Sequence, residues 1–219
     1  VQLSAGLSLF QGIPIAGQQS GGGNYQGRSG LISDHLPALW VRAEKGRWML
    51  QGEVRPQAPQ FLPQYWYSQK VIYDTAGHST ILERQRLRRA YYHQFPLTLS
   101  YRVWRGWSLG AGAQFNLLQN AVGERERVRT PLGGNAGTVM VHKEQIGGYR
   151  DSFLYRQNWS LLLHTEYQWK RWSAGLRYRR DLQPYLRYTR PEGTITDMRN
   201  EALDVFIRFR IWKSKSGRR

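Results

Sequence analysis

Asp74, His78 and Ser79 place an acid, a base and a hydroxyl within one short stretch, the residue types from which hydrolases assemble an activated nucleophile. Their closeness in sequence argues against that use. Positions around one hairpin tip seldom hold the fixed geometry a triad needs. His164 and Glu166 stand two residues apart and so share one face of a strand, where they are candidates for a metal. In a crowded polar interior, a hydrogen-bonded pair is the expected arrangement instead. His35 and His93 fall near the outer rim and His142 at a loop tip. Gly21-Gly22-Gly23 lacks the Lys-Ser/Thr of a phosphate loop, and Gly133-Gly134 does not stand between a strand and a helix. There is no cysteine, which excludes disulfides and thiolate metal sites. No catalytic residue, no metal site and no cofactor are expected.

A larger set of charges is distributed with more order. Glu53, Arg102, His164, Glu166, Arg177, Arg179, Asp204, Arg208 and Arg210 all fall on the polar side of alternating segments. Both signs are present, and an arginine fork can serve two carboxylates. Such a set can fill a narrow interior as a hydrogen-bonded ion network, provided strands from across the chain converge on it.

The elements that would do so can be counted. Alternating apolar and polar residues run through residues 1–10, 36–43, 48–55, 95–103, 107–117, 159–169, 172–179 and 203–211. Leu109, Ala111, Ala113 and Phe115 against Ser108, Gly110, Gly112 and Gln114 form the cleanest case. Tight basic turns join three pairs: Glu44-Lys45-Gly46-Arg47, Trp104-Arg105-Gly106-Trp107 and Trp169-Lys170-Arg171-Trp172. Long segments join the others. Residues 65–73 and 79–87 read as a hairpin projecting beyond the sheet, and residues 119–156 have room for a second. The count is eight strands, with three tight turns and both termini at one end and four longer loops at the other. This is an all-β, antiparallel, up-and-down barrel over residues 1–212, followed by a basic tail at 213–219.

Alternation alone does not say which face is inside. A soluble lipocalin-like carrier has the same period, with apolar residues around a cavity. Three features favour a membrane barrel. The polar face is small or carries charges of both signs. Trp48, Trp104, Trp107, Trp169, Trp172 and Trp212 sit at strand ends, where an interfacial girdle belongs. The two ends are lopsided in loop length. A mean hydropathy of −0.62 is no objection, because only alternate residues meet lipid. The formal net charge of +17 would ordinarily suggest nucleic acid. Many of the arginines are assigned to the interior, however, and Arg84, Arg86, Arg88 and Arg89 read as a solvated strand above anionic headgroups. No nucleic-acid partner is expected. Val1 already lies in an alternating run, so the numbering is read as beginning after processing or after a removed upstream segment.

Tyr91-Tyr92-His93-Gln94-Phe95-Pro96-Leu97, Trp107-Ser108-Leu109-Gly110-Ala111-Gly112, Tyr167-Gln168-Trp169-Lys170-Arg171-Trp172-Ser173 and Leu182-Gln183-Pro184-Tyr185 give the chain a family likeness. It resembles the eight-stranded outer-membrane β-barrel domains of Bacteroidota, in the broad OmpX/PorT-like group. The resemblance implies an outer-membrane location, insertion by the barrel-assembly machinery, extracellular loops and periplasmic termini. Trp212 is followed by seven more residues, a departure from relatives that end on the final aromatic. With a plugged lumen, the expected role is a non-enzymatic anchor and interaction module, surrounded by outer-membrane lipid. A protein partner would meet the loops, where Tyr73, Asp74, His78, Arg84 and Arg86 are candidates, or the barrel would end a larger envelope complex. An outer-membrane enzyme acting on lipid or peptide at the outer rim is the competing class.

Overall fold

A computed structural model describes residues 1–16, 36–59, 68–73, 79–131, 138–146, 154–189 and 195–214. Its strands are β1 (Gln2–Ala16), β2 (Ala38–Lys45), β3 (Trp48–Pro59), β4 (Ser68–Tyr73), β5 (Ser79–Trp104), β6 (Trp107–Pro131), β7 (Thr138–Ile146), β8 (Gln157–Trp169), β9 (Trp172–Asp181), β10 (Leu186–Thr189), β11 (Ile195–Met198) and β12 (Glu201–Lys213). Eight of them, β1, β2, β3, β5, β6, β8, β9 and β12, pair antiparallel in that order, and β12 pairs back onto β1. Closure leaves the barrel without edges, so every ladder bond is satisfied within it.

The alternation decides which face is which. Leu39, Val41, Leu50, Leu97, Leu99, Leu109, Leu161, Leu163, Ile207 and Ile211 all lie on the outer surface, and Leu109 is 55% exposed. Arginines and carboxylates at the intervening positions are buried: Arg177 and Arg208 are each 1% exposed. An apolar shell around an ionic interior is the reverse of a soluble carrier and is the construction of a transmembrane barrel. Polar or charged groups are therefore kept from hydrocarbon, and Leu or Ile from water.

Aromatic residues mark both limits of the apolar band. Trp48, Trp104, Trp107, Trp169, Trp172 and Trp212 are all exposed at the short-turn end. Cross-strand neighbours brace them: Trp48 with Tyr101 (centroids 5.0 Å apart), Trp107 with Tyr167 (5.1 Å) and Trp172 with Phe209 (4.7 Å). Phe95, Phe115 and Trp159 stack in a row at the opposite limit. From Trp159 to Trp169 along β8 is roughly 33 Å, or about 25 Å of height once the strand is tilted, which matches the apolar band of such barrels.

Glycines on the inner face make room for large neighbours. A Cβ at Gly6 would meet Trp40 Cζ2 at 2.7 Å, and one at Gly175 would meet Phe206 Cζ at 2.6 Å. Trp40, whose indole N–H donates to the Leu7 carbonyl at 3.1 Å, and Phe206 therefore fit inside a barrel of only eight strands.

Beyond the barrel, two strands simply continue. β5 is 26 residues long and β6 is 25, and they stay paired from Trp104↔Trp107 to Ser79↔Pro131. β4 joins the free side of β5 and β7 joins the free side of β6, giving a four-stranded sheet, β4-β5-β6-β7. A projecting hairpin over residues 68–85 is therefore present in pairing, but its second strand is not a separate element. It is the upper half of a barrel strand. Register shifts at Leu87/Arg89 and Tyr91/Tyr92 reset the alternation between the halves, which made one strand read as two. β10 and β11 form a small hairpin of their own, and β12 runs one residue beyond the expected barrel boundary, to Lys213.

Candidate functional site

The lumen holds a closed ring of hydrogen-bonded charges. Arg42 on β2 donates from Nη2 to both oxygens of Glu166 on β8, at 2.6 and 2.7 Å, and from Nε to Gln51 Oε1 on β3 at 2.7 Å. Gln51 Nε2 donates to Glu53 Oε1 at 2.5 Å. Arg208 on β12 closes the circuit, donating from Nη2 to Glu53 and from Nη1 to Glu166. Arg177 on β9 adds a two-pronged contact to Glu53, at 2.6 and 3.1 Å. Five strands thus contribute to three guanidiniums and two carboxylates that span the interior. Their cost of burial is offset by pairing that is bidentate at Arg42 and Arg177.

Two phenylalanines in tilted contact extend the ring. Phe10 and Phe206 have centroids 5.7 Å apart. Arg55 lies 4.6 Å from the Phe10 centroid, Arg177 5.0 Å from Phe10 and 5.5 Å from Phe206, and Arg208 4.0 Å from Phe206. Each ring has two guanidiniums over it, so these cations are held by the rings as well as by carboxylates. Toward the long-loop end a polar chain follows. Gln114 donates to Asn116 at 2.6 Å, Asn116 to Ser160 at 2.8 Å, and Ser160 to Asp181 at 2.6 Å.

Of the residues expected in the network, Glu53, Glu166, Arg177 and Arg208 meet directly. Asp204 lies 3.8 Å from Arg55. His164 is buried, with Nε2 3.0 Å from Ser100 Oγ. Arg179 is buried, but its Nε has no hydrogen-bond partner among the described residues. Two expectations need correcting. Arg102 sits at the short-turn rim, 3.0 Å from Glu44 and partly exposed, and Arg210 donates to the Lys170 carbonyl at 2.6 Å on the surface. Both share the inner parity but lie too near the strand end to be inside. Arg42, Arg55, Asp181, Phe10 and Phe206 belong to the interior and were not singled out beforehand. Parity was the available signal; the two phenylalanines occupy polar positions and were passed over for their chemistry.

The same geometry bears on catalysis. Ser100 and His164 are a hydroxyl and an imidazole in contact, yet His164 Nδ1 has no hydrogen-bond partner among the described residues. Among the described residues no carboxylate hydrogen-bonds to the ring, and the pair lies inside the barrel rather than at its rim. Among the described residues, no three metal-ligating side chains converge. Of the loop candidates, Tyr73 ends β4, and Arg84 and Arg86 lie on β5 opposite Glu126 and Glu124. Asp74 and His78 lie outside the described residues, as does any triad built on them.

A closed eight-stranded barrel with an apolar shell, aromatic limits and an ion-filled lumen defines a membrane β-barrel whose interior is plugged. No protein-family model matches the chain, and no curated protein does. Among solved structures it is similar to Ail, the attachment invasion locus protein of Yersinia pestis, at 8% identity over 96% of this chain and 97% of that one, with a TM-score of 0.37. It is also similar to Neisserial surface protein A, at 8% identity over 95% of each chain, with a TM-score of 0.35. The CymD monoaromatic hydrocarbon channel aligns over 96% of this chain and 66% of its own length, at 8% identity and a TM-score of 0.26.

Proposed function

We propose that this chain is a non-enzymatic outer-membrane β-barrel of the OmpX/PorT-like kind found in Bacteroidota, and that it anchors a projecting sheet which docks a protein partner. In this reading the long-loop end faces the outside of the cell, the short turns face the periplasm, and the barrel-assembly machinery inserts the chain. The observation that carries it is the continuation of β5 and β6 past the barrel, flanked by β4 and β7. From Tyr91 to Ser79 the extension covers roughly 40 Å, well beyond what crossing a bilayer requires. Closure removes edges from the barrel, but among the described residues the extension has two: one on β4 and one on β7. An unpaired strand edge is a template for an added strand.

The test is to replace residues 60–89 and 122–154 with short turns, leaving the ion ring and both aromatic limits in place. The shortened barrel should insert into vesicles like the parent and lose a partner recovered by cross-linking from intact cells. A shortened barrel that keeps the same cross-linked partner would refute a docking role for the sheet.

A further inference from the structure

The short-turn end carries a concentration of charge that the lumen and the projecting sheet do not explain. Lys45 and Arg47, Arg105, Lys170 and Arg171, and Lys213 are all exposed there. Among the described residues one carboxylate, Glu44, lies at this end, and Arg102 already occupies it at 3.0 Å. The six cations are not gathered on one side. They fall at the β2–β3, β5–β6 and β8–β9 turns and at the end of β12, so one or two stand at every second strand junction around the perimeter. Each group lies just outside a girdle tryptophan. Lys45 pairs with Trp48, Trp104 with Trp107 across the Arg105 turn, Trp169 with Trp172 across the Lys170-Arg171 turn, and Trp212 immediately precedes Lys213. Tryptophan marks the headgroup level, so these charges sit at or just beyond it.

The backbone supplies a second, independent observation. Gly46 and Gly106 turn with φ of 63° and 78°. The third turn does the same with Lys170, at φ 50°, a conformation that a side chain disfavours. Arg210 holds that turn by donating to the Lys170 carbonyl at 2.6 Å. A cation is thus kept at the first central position, where the β2–β3 turn has Gly46.

We infer that the short-turn end is a collar for the phosphate groups of anionic phospholipids, drawn from the leaflet that surrounds the tryptophans. The inference rests on the barrel spanning a membrane. A footprint for an acidic protein or a nucleic acid would need the cations on one face, whereas lipid approaches from all sides, as the even spacing requires. The contacts are electrostatic and exposed, so they weaken as salt rises.

The experiment uses the full chain folded into phosphatidylcholine vesicles into which phosphatidylglycerol is titrated, with bromine on the acyl chains of one lipid at a time. Quenching of the lipid-facing tryptophans then gives the affinity of one lipid relative to the other. The parent should prefer phosphatidylglycerol by about five-fold at low salt, each favourable headgroup contact being of that order. The preference should fall toward parity in high salt, and also in a variant carrying Lys45→Gln, Arg47→Gln, Arg105→Gln, Lys170→Gln and Arg171→Gln. Equal quenching by the two lipids in the parent would overturn the collar while leaving the membrane barrel intact. So would an undiminished preference in the five-fold variant. Absence of quenching by either lipid would overturn the membrane reading, and the collar with it.

Discussion

Glu53→Leu is the sharpest probe of the interior. The carboxylate accepts from Arg177 at 2.6 and 3.1 Å, from Arg208, and from Gln51 at 2.5 Å. With charge centres about 4 Å apart and an effective dielectric of about 20, each arginine contributes roughly 4 kcal/mol of gross attraction. Much of that is offset by desolvation of Glu53 itself, which leucine no longer incurs. What remains is the guanidinium left behind. Arg208 keeps Glu166, but Arg177 loses its carboxylate hydrogen bonds while 1% exposed. Removing one partner of a buried pair costs about 3–5 kcal/mol, and that is the loss expected here. Adding Arg177→Met, which keeps the apolar contact with Phe10 and Phe206, should recover about 2 kcal/mol, because the stranded charge is gone. The assay is urea unfolding of the barrel in detergent micelles, followed by tryptophan fluorescence and by heat-dependent electrophoretic migration. A Glu53→Leu barrel within about 0.5 kcal/mol of the parent would show that the ring contributes nothing to stability.

Four further outcomes can be checked. Leu109→Arg should destabilise the folded barrel in vesicles by about 2–4 kcal/mol, its site being on the lipid face; equal stability would place that face elsewhere. Gly112→Ala should cost about 1–3 kcal/mol, since its Cβ would meet Thr98 Cα at 2.8 Å and backbone there cannot step aside. An unchanged urea midpoint would mean that β5 and β6 approach less closely. Lys170→Gly should raise stability in detergent by about 1 kcal/mol by relieving the left-handed turn, and a loss would show that the turn is not strained. In the β10–β11 hairpin, the hydrogen bonds from Arg187 at 2.6 and 3.0 Å hold the Asp197 carboxyl below its ordinary 3.8. The contribution of that pair is full above 3.8 and is lost as pH falls through the depressed value. Amide exchange in the hairpin should therefore stay slow down to about pH 4, and Asp197→Asn should abolish the acid step.

Period-two alternation carried the barrel because a strand with lipid on one side and charge on the other admits one register. Strands from Ala38–Lys45 to Glu201–Lys213 follow from it. The same rule placed Glu53, Glu166, Arg177 and Arg208 inside. It gives the face of a residue but not its height, and Arg102 and Arg210 were misplaced for that reason. Composition misled where parity did not, since Phe10 and Phe206 are apolar side chains at inner positions, made acceptable by the cations that cover them. The length of β5 was hidden by its bulges, because Arg84, Arg86, Arg88 and Arg89 are followed by a shifted phase. Which arginine meets which carboxylate was not legible, since the partners lie up to 155 positions apart.

That separation ties the ion ring to the closing of the barrel. Arg208, on the last of the eight strands, reaches Glu53 across 155 positions and Glu166 across 42. Until it arrives, neither acid has its full complement of hydrogen bonds. Without β12, Glu53 has Arg177 and Glu166 has Arg42, each acid one arginine short of its final set. Pairing of β12 with β9 and with β1 completes the ion ring and closes the barrel in the same step.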